Sequence, residues 1–439
     1  MPGLSPGKKT RHDAAQWPLI ENPSERTAWI ASVCGMTRSV KRAFKYRFYP
    51  TPGQAEALAR TFGCVRLVYN KALHERTRAH TLDGRRVSYA ESSAALTQWK
   101  RTEDLAFLTE VSSVPLQQAL RHLQAAFANF FAKRAKYPRF KSRKRSRSSA
   151  EYTRSAFTYR NGRLFLAKLD GPLAIAWSRP LPEGAHPSTV TVSRDAAGRW
   201  FVSLLCEDWI GPLAPAGGAV GVDAGLTALV TLSTGEKIPN PRCERADRKR
   251  LTKAQRALAR KAKGSANRAK ARLRVARVHA RIADRRRDQL HQLTTRLVRE
   301  NQTVVIEDLA VRNMVRNHRL ARAISDASWR QMRTLLEYKA RWYGRELVVI
   351  DRWFPSSKRC SACGHLKAAL PLGERVFRCD ACPLVLDRDV NAARNILAAG
   401  LAERQNACGA GVRPQGSSPG GRLAVKQESH PVKGGIPRL

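Results

Sequence analysis

The sequence predicts an α/β multidomain protein: a core of strands and helices with a metal ribbon inserted in it, preceded by a β module and a helical lobe. Three observations carry this. In the second half, the apolar, β-branched runs AVGVDAGLTALVTLSTG (219–235), TVVIEDL (303–309) and LVVI (347–350) alternate with long helical segments, as in a sheet covered by helices. Two Cys-x2-Cys pairs lie between the last of these runs and a final helical segment. In the first half, one strand leads into helical periodicity and then into several short strands. At 439 residues with 43% hydrophobic side chains, the chain is long enough for several cores.

The elements follow in order. Residues 1–40 carry Pro, Gly, Ser and charge without periodicity and are expected to be a disordered extension, with Met36 just ahead of the first patterned segment. RAFKYRFY (42–49) alternates apolar and basic residues, as a strand does, and Pro50 and Pro52 end it. Leu58, Phe62, Val65, Leu67, Val68 and Leu73 recur at helical spacing within 53–80. Helices are also expected over 89–100 and 114–136. KRAKYPRFKSRKRSR (133–147) holds nine cations and no acid. The short strands AFTYR, RLFLA, LAIAW, STVTVSRD and GRWFVSLLCE follow, the last two joined by the turn DAAGR (195–199). At 219–235 two strands flank a tight turn at Asp223 and Gly225. Residues 248–287 contain 17 Lys or Arg and a single acid, Asp284; Leu251, Leu258, Leu273, Val275 and Ile282 form an apolar stripe, which predicts one or two long basic helices. A helix over 328–346, the strand 347–350 and a helix over 388–400 complete the core. The domains expected are a β module (41–52 and 137–212), a helical lobe (53–136), an α/β core (213–355 and 387–404), a metal ribbon (356–386) and a flexible tail (405–439).

Cys360, Cys363, Cys379 and Cys382 give Cys-x2-Cys-x15-Cys-x2-Cys. Each pair sets two thiolates on one tight knuckle, and two knuckles close a tetrahedron around Zn2+. Gly364 permits the turn after the first pair. Four thiolates leave no open position for water, so this zinc is expected to be structural. The remaining cysteines are scattered, the total of nine is odd, and a disulfide framework is not expected.

Three acids sit where structure alone explains them poorly. Asp223 interrupts an apolar strand, Glu307 ends another, and Asp389 opens the last helix in DRDVNAA. Each alone has an ordinary alternative: a turn residue, a solvated strand end, an N-cap supplied by Asp387 or Asp389. Their order is that of an RNase H-like (RuvC) core, whose carboxylates gather at strand ends to hold two Mg2+ ions for phosphodiester hydrolysis.

The segments GVDAGLTALVTLSTG, VIEDLAVRNM, WFPSSKRCSACGH and LDRDVNAARNI resemble successive signatures of the TnpB (OrfB) family, encoded by bacterial insertion sequences. KYRFYPTPGQ, GCVRLVYNKALHER, YPRFKSR and the tail NACGAGVRP are similar to further family segments, and the match covers about residues 40–415. The resemblance implies an RNA-guided, Mg2+-dependent DNA endonuclease that cuts double-stranded DNA next to a short flanking motif, with a guide RNA from the transposon end. It implies that the β module is a wedge domain, that the helical lobe is a recognition lobe and that the RuvC core carries the ribbon as an insertion. It assigns catalysis and Mg2+ binding to Asp223, Glu307 and Asp389, the last because the family's acid stands two residues before the Asn of DVNAA. The ribbon is then expected to position the helix bearing the third acid and to guide single-stranded DNA toward the metals. Family analogy points to Tyr89 and Gln117 for reading the flanking motif; both also fit plain packing or helix-surface roles.

Charge agrees with nucleic-acid partners. Lys and Arg total 80, of which 58 are Arg, against 35 Asp and Glu, a net of +45. Such an excess repels itself unless a polyanion neutralises it. Arg139, Lys141, Arg143, Arg272 and Arg274 are candidate contacts to an RNA–DNA heteroduplex. No uncharged apolar run of about 18 residues and no signal-peptide core are found, so no membrane partner is expected, and the expected location is the bacterial cytoplasm, at the nucleoid when bound. The rival readings are a non-catalytic DNA-binding or regulatory protein of a transposable element, which needs no acid triad, and an unguided RuvC-type nuclease, which leaves the lobe and β module unexplained. A transposase using His-x-His is excluded, because none of the ten histidines has another two positions away.

Overall fold

The computed structural model describes residues 38–409 except Arg145 and Leu372. The expected extension and tail lie outside the described residues except at their inner edges. There the expectation is corrected: residues 38–40 already belong to the first strand, and 405–409 continue the last helix.

The N-terminal half comprises β1 (Arg38–Phe48), α1 (Pro52–Asp83), α2 (Tyr89–Trp99), α3 (Ser113–Phe131), β2 (Ser148–Thr153), β3 (Phe157–Arg160), β4 (Arg163–Leu166), β5 (Ile175–Ala176), β6 (Pro187–Arg194) and β7 (Trp200–Ile210). Alternation in β1 decides its faces: Phe44, Tyr46 and Phe48 are buried in the core shared with the helices, so Lys45 and Arg47 point the other way. The step from β1 to α1 is fixed locally. Thr51 accepts from the Gln54 amide at 3.2 Å and its own amide donates to Gln54 Oε1 at 3.2 Å, a reciprocal cap reinforced by Pro52. Helix α1 ends at Gly84, whose φ of 62° suits glycine. The strands form one antiparallel sheet in the order β2-β6-β7-β1-β5, with β3-β4 a separate hairpin.

The C-terminal half comprises β8 (Ala219–Ala224), β9 (Ala228–Leu232), β10 (Lys237–Pro239), α4 (Cys243–Ala259), α5 (Ala266–Glu300), β11 (Thr303–Glu307), α6 (Val311–Met314), α7 (Ala321–Ala327), α8 (Trp329–Tyr343), β12 (Glu346–Ile350), β13 (Val376–Arg378), β14 (Val385–Asp387) and α9 (Arg388–Gly409). The basic stretch is thus two helices, α4 and α5. The core sheet has the order β10-β9-β8-β11-β12. Its first three strands are antiparallel, and β8, β11 and β12 are parallel. This is the RNase H-like α/β arrangement, with the ribbon inserted between β12 and α9.

The pleat of this sheet sorts its two faces. Val220, Val222, Val304 and Ile306 pack with Leu290, Leu297, Trp329 and Leu336 of α5 and α8. The alternate residues therefore face α9. Gly221 and Val305 do so closely: a Cβ on Gly221 would lie 2.1 Å from the Ala393 carbonyl oxygen, and one on Gly400 would lie 2.4 Å from Val305 Cγ1. The two glycines let the helix backbone rest directly on the strands.

Candidate active site and metal centre

The same parity brings the acids together. Parallel pairing of β8 and β11 runs through Val222–Ile306, so the next rung sets Asp223 beside Glu307 on the face that receives α9. Asp389 lies in the first turn of that helix. The three carboxylates are half-buried. Burial and the charges of Glu307 and Asp389 push the Asp223 carboxyl up to about 7. Burial also raises Glu307, against the lowering effect of a hydrogen bond from the Ser356 hydroxyl to Glu307 Oε1 at 2.5 Å.

The neighbouring acids are occupied elsewhere. Asp308 takes Arg333 Nη1 at 2.5 Å and pairs with Arg352; opposing the upward pull of burial, these hydrogen bonds hold it below the usual carboxylate range. Asp387 accepts from the Asp389 and Val390 amides at 3.0 and 3.2 Å and from Lys237 Nζ at 2.6 Å. It is the cap of α9, and its charge is neutralised. Asp389 and Asp223 make no side-chain hydrogen bond or ion pair among the described residues. Three half-buried carboxylates facing one another without cationic partners, with Asp223 raised by burial and its neighbours' charge and Glu307 by burial, are a donor set suited to a hard divalent cation.

The ribbon brings its four cysteines to one point. A bridge between Arg359 and Leu366 carries the first pair, and the β13–β14 hairpin carries the second. The Gly364 amide donates to Cys360 O at 3.0 Å, and Gly364 has φ 78°. All four sulfur atoms lie within 4.8 Å of one another. Cys360–Cys382 and Cys363–Cys379 are each 3.6 Å apart. That is far beyond an S–S bond and close to the edge of about 3.8 Å in a tetrahedron with 2.3 Å metal–sulfur bonds. The set fits a tetrahedral metal ion. Among the described residues it is the one group of three or more Cys, His, Asp or Glu whose ligand atoms already lie close enough to share an ion; the carboxylates of Asp223, Glu307 and Asp389 stand farther apart, and a shared cation would have to draw them together.

The other expected residues are dispersed. Tyr89 is half-buried at the start of α2 with Arg121 stacked 5.5 Å from its ring centre, and Gln117 is exposed on α3. Arg139, Arg143, Arg272 and Arg274 are exposed. Lys141 is turned inward, its Nζ 3.8 Å from the centre of the Tyr69 ring and its backbone clasped by Asn70.

A groove of about 690 Å³ was missed by sequence reasoning. It runs between β1 and helices α5 and α8, lined by Lys45, Arg47, Tyr49, Arg179, Arg287 and Trp342 among others. Burial, then the nearby Arg287 and Arg147, lowers the Lys45 pKa. On the groove wall Lys339 donates at 2.7 Å to His291 O, Thr294 Oγ1 and Thr295 Oγ1; burial brings it down to about 8. The alternation of basic residues in KYRFY was the available signal.

The chain matches the family models "Probable transposase" (OrfB of IS605) over 202–318, "Cas12f1-like, TNB domain" over 329–396 and "Helix-turn-helix domain" over 36–85. Despite that last description, residues 52–83 here form one unbroken helix. A solved chain in a Cas12f1–sgRNA–target DNA complex is similar in fold, with TM-score 0.50, 13% identity and coverage of 82% of this chain and 98% of that one. The class is thus a RuvC-like nuclease fold with a four-cysteine ribbon. A Streptomyces pristinaespiralis protein named "Putative RNA-guided DNA endonuclease" is 72% identical over 92% of this chain and 100% of its own length. An Escherichia coli K12 protein named "Putative RNA-guided DNA endonuclease InsQ" is 36% identical over 82% of this chain and 92% of its own. The chain belongs to the TnpB (OrfB) family of insertion-sequence proteins. Among the described residues no helix is long and apolar enough to cross a membrane.

Proposed function

We propose that this chain is an RNA-guided DNA endonuclease of a bacterial transposable element, working at the nucleoid. The observation that carries the reading is the convergence of Asp223, Glu307 and Asp389 on one face of the core, with the Asp223 carboxyl raised to about 7. The names of its relatives support the same activity. These three carboxylates would hold Mg2+, which supplies Lewis acidity at the attacking and leaving oxygens of a phosphodiester. To hold the cation, Asp223 would have to be deprotonated. Ser356 holds Glu307 in place, and the pairing of Asp308 and Asp387 with cations keeps those acids out of the site.

The four cysteines would hold Zn2+ as a structural ion. The basic groove and the exposed Arg139, Arg143, Arg272 and Arg274 would bind a guide RNA from the transposon end and its heteroduplex with target DNA. Lys141 would order the basic connector through its contact with Tyr69. Tyr89 and Gln117 would read the flanking motif from the helical lobe, and the antiparallel β module would act as the wedge.

The test is to express the chain with its flanking genomic DNA and sequence the RNA that copurifies. A discrete RNA ending at the element boundary is expected, with Mg2+-dependent cleavage that Asp223→Ala abolishes. Random RNA alone would defeat the guided reading.

A further inference from the structure

We infer that Ser356, Asn391 and Asn395 are positioning residues that lock Glu307 and Asp389 to the first cysteine knuckle. Asn391 and Asn395 are 0% and 3% exposed. They stand one turn apart on α9, so their side chains share a face. Buried amides are costly unless their hydrogen bonds are made, and these are spent on a single short segment. Asn391 Nδ2 donates to Arg359 O at 2.7 Å, and its Oδ1 accepts from the Ser361 amide at 2.9 Å. Asn395 Nδ2 donates to Arg359 O at 2.6 Å and to Ser356 O at 2.8 Å. The segment 356–361 is therefore fastened to the helix whose first turn carries Asp389.

The other end of the segment reaches the second carboxylate. Ser356, itself 8% exposed, supplies the hydroxyl bonded to Glu307. Cys360, 1% exposed, sits between Arg359 and Ser361, both held by Asn391. Six residues thus touch a strand acid, a helix acid's turn and a metal-ligating sulfur. An arrangement serving stability alone would fill this face with apolar side chains, because Asn is a weak helix former. Here the polar contacts fix the distance between the two carboxylates, and a loosened knuckle would release both together.

The inference rests on the reading of the three acids as cation ligands. It is tested by titrating Mn2+ into the full chain with its copurified RNA, for wild type, Ser356→Ala, Ser356→Thr and Asn395→Ala, with zinc content measured in each. Ser356→Ala and Asn395→Ala are expected to weaken Mn2+ binding by about 10–100-fold, as loss of an outer-shell partner does. Zinc content is expected to be unchanged in Ser356→Ala, and Ser356→Thr to restore affinity. Asn395→Ala leaves buried carbonyls open and risks unfolding, so Ser356→Ala decides. Wild-type Mn2+ affinity in Ser356→Ala overturns the inference alone. A wild-type chain that binds no Mn2+ overturns the carboxylate reading beneath it.

Discussion

Replacing Gly221 by Ala puts one methyl group where α9 meets β8. The new Cβ would lie 2.1 Å from the Ala393 carbonyl oxygen, 2.7 Å from the Leu397 amide nitrogen and 2.8 Å from Leu397 Cβ. Two of these neighbours are backbone, so no rotamer change relieves the clash. The helix has to retreat by about 1.3 Å to reach the 3.4 Å of ordinary contact. Overpacking of this kind costs about 1–3 kcal/mol. The larger effect is on Asp389, about one turn from Ala393 and about two from Leu397 on the same helix. Displacement of a reacting group by about 1 Å costs roughly 100-fold in rate. The assay is single-turnover cleavage at saturating Mg2+, with RNA retention and zinc content as controls expected to hold. Gly63→Ala is the matched control: it lies within α1 with nothing within 4 Å of the added Cβ, and it is expected to be neutral or stabilising by about 1 kcal/mol. Wild-type cleavage by Gly221→Ala would refute the claim that glycine sets the seat of the third acid.

Without added divalent ions, Asp223 is expected to make stability fall as pH rises from 3.8 to about 7, because there the folded carboxyl keeps a proton that the unfolded one has lost. The full loss is about 4 kcal/mol above that window, and urea melts of Asp223→Asn should lack the slope. Cys379→Ser is expected to lose zinc and unfold the ribbon, read by metal analysis and by proteolysis within 356–386, since metal binding supplies the folding energy of such a module; retained zinc would remove the four-thiolate assignment. RNA affinity is expected to fall steeply with salt, and Arg179→Ala to lower the log–log slope by about 1, as removal of one phosphate contact does.

The core was legible in the sequence because its signals are short-range. VGVDAG and VVIEDL announce buried strands ending in acids, and spacing alone sets the cysteines on two knuckles. What was hidden depends on contacts across the chain. β2 reads SSAEYT and buries only Ala150 and Tyr152, so its sequence carries no strand pattern; pairing with β6 makes it one. The choice between Asp387 and Asp389 rested on family likeness, whereas in the fold Lys237, 150 positions away, engages Asp387. Gly221 lies inside an apolar, β-branched run that gives it no distinct role, and its need for a bare backbone shows only once α9 is in place. The groove joins residues from β1, α5 and α8, and only its β1 share, the basic alternation of KYRFY, is visible in the linear sequence.

The groove between the two halves also bears on how the protein exists in the cell. Lys45, Arg47, Arg179 and Arg287 line it together, while nearby Asp195 and Asp284 are already engaged by Arg199. The walls repel one another until something anionic fills the gap. A polyanion bound there would then be part of the architecture as well as a ligand. If RNA fills the groove, limited proteolysis is expected to cut the chain faster after its copurified RNA is digested than before.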